Sequence, residues 1–143
     1  MHAFPLRLYQ WEKGMIAGGE KKALVVEDNL ALGGVVRFNL ERAGFHVALA
    51  RNGREACLLL EQATFDVVVT DYQMPVMNGE ELCRYMREDA RHQRTPVIIL
   101  TAKQLEIDLP GLQRDLGVVQ AFAKPFSPQE LTGAVVKHAL GKL

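Results

Sequence analysis

Cysteine is scarce in this 143-residue chain: the two present, Cys57 and Cys83, fall in helical patterns and neither has a CxxC partner. That argues against a disulfide framework or a thiolate metal site and leaves two free buried thiols, as a reducing compartment maintains. The four histidines, His2, His46, His92 and His138, lack metal-ligand spacing and are read as surface or packing residues. An excess of either charge is also missing. Seventeen Lys and Arg balance seventeen Asp and Glu, and no basic stripe with interleaved aromatics nominates nucleic acid as a direct partner. No apolar run reaches the length of a membrane span or of a signal-peptide core, so a cytoplasmic location without membrane insertion is expected.

What is present is one domain's worth of alternating strand and helix signals. Residues 1–20 stand apart, sharing none of the later periodicity and closing on Ala17-Gly18-Gly19. We expect a flexible leader there, with Phe4, Tyr9 and Trp11 as its aromatic patch and Met15 as an alternative start, and a folded domain over 21–143. From Lys22 onward, short β-branched runs at 23–26, 47–50, 65–70, 97–100 and 118–123 predict five strands. Leu32, Val35, Val36, Leu40 and Ala43 recur at helical spacing and stop at Gly44. Asn52 with Glu55, and Asn78 with Glu81, predict capped helices after the second and third strands. Pro110-Gly111 leaves room only for a loop and a short helix ending at Gly117. Ser127, Pro128 and Glu130 open the last helix, with Leu131, Ala134, Val135 and His138 along one face. Buried strands without hairpin signals need crossover helices, so the expected fold is α/β, a three-layer sandwich on a parallel sheet.

The organising stretch is Val67-Val68-Val69-Thr70-Asp71-Tyr72-Gln73-Met74-Pro75, an apolar run ending in a carboxylate and a turn. Strands buried on both faces carry no polar alternation, so Asp71 stands at a carboxyl end, the edge where open α/β sheets bind ligands. The first strand delivers Glu27-Asp28 to the same rim. Two unit charges about 4 Å apart repel by roughly 4 kcal/mol at an effective dielectric near 20, so three carboxylates call for a cation. Hard oxygen donors suit Mg²⁺, and Lys124 at the end of the fifth strand would complete the balance.

Glu27-Asp28, Asp71 followed by Met74-Pro75 and Gly79, Thr101-Ala102, and Lys124-Pro125-Phe126, each behind its own strand, together resemble the receiver domain of bacterial two-component response regulators, of the chemotaxis-regulator-like kind. The resemblance covers residues 22–140. It implies a flavodoxin-like strand order 2-1-3-4-5 and a phosphoryl group accepted on Asp71 from a sensor histidine kinase or histidine phosphotransfer protein. It further implies Mg²⁺ held by Glu27, Asp28, Asp71 and the backbone carbonyl of Gln73. Thr101, Ala102 and Lys124 would bind or admit the phosphoryl group, and Lys124-Pro125 is a candidate cis peptide. Gln73 and Lys103 lie where family side chains tune the lifetime of the phosphorylated state.

One departure concerns output. Where many receivers carry a switching aromatic, this chain has Ala121, with Phe122 one residue on and on the opposite strand face. The leading expectation is a stand-alone response regulator acting by protein docking or phosphorelay, with a phosphorylation-independent adaptor of the same fold as the alternative. A phosphatase of the haloacid-dehalogenase type needs a second Asp at Gln73, which cannot donate a proton in that role.

Overall fold

The computed structural model describes residues 20–102 and 107–141. Five strands, β1 (Lys21–Val26), β2 (Phe45–Ala50), β3 (Val67–Asp71), β4 (Val97–Ala102) and β5 (Val118–Lys124), form one parallel sheet in the order β2-β1-β3-β4-β5. The crossovers are helices α1 (Leu30–Arg42), α2 (Gly53–Gln62), α3 (Gly79–Arg87), α4 (Leu109–Leu116) and α5 (Pro128–Ala139). The expected three-layer sandwich and strand order are both found. The expected leader, Met15 and Lys103 lie outside the described residues.

Side-chain alternation along the strands divides the interior in two. Leu24, Val26, Val68 and Ile99 point to one face and pack with Leu60 of α2, Leu82 and Met86 of α3, and Leu112 and Leu116 of α4. Ala23, Val25, Val69, Ile98 and Leu100 point to the other and pack with Val36 and Leu40 of α1 and Leu131 and Val135 of α5. Fully burying a side chain of this size stabilises by about 1.5–3 kcal/mol. Register aligns the carboxyl ends: Val26 pairs with Thr70, Asp71 with Leu100 and Ala102 with Lys124.

Local chemistry sets the helix ends. Asn29, Asn52, Asn78, Asp108 and Ser127 each accept a backbone N–H of the first turn, and Asn78 with Glu81 closes a reciprocal capping box. Gly117 ends α4 in the left-handed region at φ 70, which a Cβ would strain.

Three expectations need correcting. Val35, counted in the apolar helical stripe by its spacing, is 43 % exposed, while Gly33 of the same helix is buried against the sheet beside Leu49. Strand β3 runs Val67–Asp71 rather than over the expected 65–70, so Asp71 closes the strand itself. Cys57 is only half-buried, while Cys83 is buried; both are free thiols. A short 3-10 helix (Ala90–His92), unforeseen in the sequence, is capped by Asp89. Among the described residues no helix is long and apolar enough to cross a membrane.

Candidate functional site

Three strand ends bring the acidic residues and a lysine together. Glu27 follows β1 directly, its N–H donating to the Ala50 carbonyl at 2.9 Å, so its side chain is aimed before any loop freedom begins. It is 1 % exposed and Asp71 4 %, whereas Asp28 is open to solvent. One carboxylate oxygen from each of the three lies within 4.8 Å of the others. Lys124 Nζ bridges the two buried acids, 2.6 Å from Asp71 Oδ1 and 2.9 Å from Glu27 Oε1. The second oxygen of Glu27 accepts the Asn29 N–H at 3.0 Å.

Burial pushes the Asp71 carboxyl up to about 7; the Lys124 ammonium pulls against this and the Glu27 charge adds to it. Burial lowers Lys124 in turn, but its bonds to Asp71 and Glu27 outweigh that and hold it above the ordinary lysine value. One lysine thus partly neutralises a site that still favours more positive charge. Three carboxylates, one facing water, make a hard-oxygen donor set that fits a divalent cation retaining waters.

Thr101 is buried at the end of β4, and its hydroxyl makes only a long contact, 3.5 Å, to the Ala102 carbonyl. Ala102 is half-buried and lines a groove of about 600 Å³ with Asn29, Ala31, Val35, Lys124 and Phe126. Gln73 is exposed in the turn after β3. The Lys124–Pro125 peptide is cis. Ala121 sits half-buried on the α2–α4 side, and Phe122 faces α1 and α5, its ring 6.4 Å edge-on from Phe126.

Several contacts of the site were not read from the sequence. Asn29 both caps α1 and ties down Glu27, a double role legible only in part from its place before an apolar periodic run. Thr70 is fully buried and donates its hydroxyl to the Asp71 carbonyl at 3.0 Å. Gly79 donates its N–H to the Tyr72 carbonyl at 2.7 Å, and a Cβ on it would lie 2.6 Å from the Asp71 carbonyl oxygen. No sequence signal marks Thr70; Gly79 stands in the motif, but its reason is steric.

Residues 23–136 match the family model of the response regulator receiver domain. The chain belongs to this family. As a receiver, it is 36 % identical over 115 residues to the alkaline phosphatase synthesis transcriptional regulatory protein PhoP of Bacillus subtilis, a match covering 80 % of this chain and 47 % of that protein. It is 38 % identical over 115 residues to the phosphate regulon transcriptional regulatory protein PhoB of Rhizobium meliloti, covering 80 % and 50 %. The receiver therefore spans about half the length of these relatives. Among solved structures it resembles the chemotaxis response regulator CheY4 of Vibrio cholerae, with TM-score 0.75 and 29 % identity over 83 % of this chain and 98 % of that one. It also resembles the receiver domain of a Pseudomonas aeruginosa sensor histidine kinase, described with magnesium coordinated in its active-site cleft, with TM-score 0.75 and 28 % identity over 86 % and 100 %. Receivers of this family are parts of two-component signalling systems, and phosphorylation and Mg²⁺ are typical of them.

Proposed function

We propose that this receiver, folded from residue 21 onward, accepts a phosphoryl group on Asp71 from the phosphohistidine of a cytoplasmic sensor kinase or phosphotransfer protein. The observation that carries the reading is the Lys124 ammonium lying between two buried carboxylates, beside a third that is open to water. A carboxylate oxygen of Asp71 forms the new P–O bond as the P–N bond of the phosphohistidine breaks, and the electron pair returns to the imidazole. Lys124 then faces the negative charge spread over the phosphoryl oxygens, and a preorganised cation in a largely buried site stabilises that charge strongly. Glu27, Asp28, Asp71 and the backbone carbonyl of Gln73 would hold Mg²⁺, which, when bound, adds positive charge at those same oxygens and favours the ionised Asp71. The Thr101 hydroxyl, without a short partner, is free to bond the attached phosphoryl group. Small Ala102 leaves room for the donor's imidazole. Gln73 and Lys103 tune how readily water reaches the phosphoryl group.

The docking surface for the donor adjoins the site. Val35 and Phe38 are exposed on α1, as is Leu30 at its start, and Val35 also lines the groove running to Lys124. Output, in our reading, passes to another protein by docking or by onward phosphotransfer. The test is intact mass after incubation with acetyl phosphate and Mg²⁺. We expect a base-labile phosphoryl adduct that needs the metal and is absent from Asp71→Asn. An adduct persisting in that variant would place the acceptor elsewhere, and none with any donor would favour the phosphorylation-independent adaptor.

A further inference from the structure

The phosphoacceptor's neighbour in the chain, Tyr72, is wired into a strand and a helix. Its N–H donates to the Leu100 carbonyl at 2.7 Å and its carbonyl accepts from Gly79 at the start of α3, so a shift of the Asp71 backbone moves both. Register places its side chain with Thr101 and Ala121 on the sheet face covered by α2, α3 and α4. There the phenol is half-buried and its hydroxyl lies 3.4 Å from Glu80 Oε1, a long bond, while Glu80 Oε2 is held by Arg84 at 2.9 Å. Beside the ring is a small cavity of about 110 Å³, walled by Tyr72, Glu80 and Arg84 on one side and by Leu112 and Asp115 of α4 with its cap Asp108 on the other. The β5 position on this face carries only the methyl group of Ala121. A rigidly held backbone, a weakly held aromatic tip and open space together describe a side chain with two available positions.

We propose that Tyr72 carries the phosphorylation signal, passing the change at Asp71 into the cleft between α3 and α4. The proposal rests on Asp71 being the phosphoacceptor. Interfaces of this kind respond discretely, because packed side chains have few alternative arrangements. When the loop after β3 adjusts to a phosphoryl group, the ring moves into the cavity, the Glu80 bond is broken or shortened, and α4 repacks against α3.

The experiment is hydrogen–deuterium exchange of the full chain with and without beryllium fluoride and Mg²⁺, the phosphoryl mimic, in the wild type, Tyr72→Phe and Tyr72→Ala. Tyr85→Ala on α3 serves as a control for loss of an aromatic. In the wild type and Tyr85→Ala we expect exchange in Gly79–Arg87 and Leu109–Leu116 to change by roughly 5-fold or more, the low end of typical coupling between sites. Tyr72→Ala should bind the mimic with wild-type affinity yet lose the α4 response. Tyr72→Phe keeps the fold if the alanine variant does not, and should lose at least half of that response. An undiminished α4 response in a folded Tyr72 variant overturns the proposal, as does an equal loss in Tyr85→Ala. Failure of the wild type to bind the mimic overturns the phosphoacceptor reading first.

Discussion

The two ends of the sheet handle their polar groups in opposite ways. At the amino end, where the helices finish, charge is spent on carbonyls and backbone. Arg87 donates Nε–H to the Leu116 carbonyl at 2.7 Å and Nη1–H to the His92 carbonyl at 2.8 Å, tying α3 to the end of α4. His92, fully buried, donates Nε2–H to Leu60, and Arg91 donates to Glu61, so the 3-10 helix caps α2, which has no left-handed glycine of its own. Asp66 accepts the Lys22 N–H. Cations there match the partial negative charge of helix carboxyl ends. At the carboxyl end of the strands, by contrast, two buried carboxylates share one lysine, a third stands beside them, and Val76 holds a left-handed φ of 72 while fully exposed. Apart from His92 Nδ1, which is buried without a hydrogen-bond partner, satisfied groups mark the end that stabilises; crowded charge and strain mark the end that acts.

Perturbing each end should therefore separate stability from chemistry. The largest effect is expected from Gly79→Ala. Its Cβ would meet the Asp71 carbonyl at 2.6 Å, and the backbone shift should cost about 2–3 kcal/mol in urea unfolding and slow phosphorylation by acetyl phosphate as well. Arg87→Ala, at the other end, should lose about 1.5–3 kcal/mol through two lost hydrogen bonds from a charged donor, with the phosphorylation rate unchanged. A matching loss of rate would show that the two ends are not independent.

pH should split them with opposite signs. Burial raises Asp71 to about 7 in the folded chain, so without divalent metal the folded state holds a proton that the unfolded state has released, and thermal stability should fall as pH rises from about 4 to 7. Asp71→Asn should flatten that slope. Asp89 at the amino end is held down to about 2 by its bonds to Arg91, so its contribution is present above the usual carboxylate range and lost as pH falls through about 2. Asp89→Asn should flatten only this acid limb. The smallest effect is expected from Val76→Gly: relieving the left-handed valine should raise stability by roughly 0.5–1 kcal/mol in the same urea assay. A loss instead would mean that the side chain makes a contact outweighing its strain.

Strand ends, caps and the acidic rim were legible because each depends on a few consecutive residues. Asn52 with Glu55, Asn78 with Glu81 and Ser127 before Pro128 state their helices locally, and Glu27-Asp28, Asp71 and Lys124 follow apolar runs whose direction a parallel sheet dictates. The exposure of Val35 was not legible, because helical spacing names a stripe without saying where its edge lies, and Gly33 of the same helix is buried. The cap on α2 could not be read either, since His92 and Arg91 come from some thirty residues downstream.

By itself, then, the order of residues determined the α/β layering, the helix starts and which four side chains would meet at one rim, because periodicity, capping and strand direction act over short stretches. Only the tertiary structure decided that Lys124 bridges Asp71 and Glu27, that Asn29 fixes Glu27, that Gly79 must lack a side chain, and that Tyr72 stands over a cavity between α3 and α4. Those facts are distances between segments far apart in the chain, and distance is set by packing.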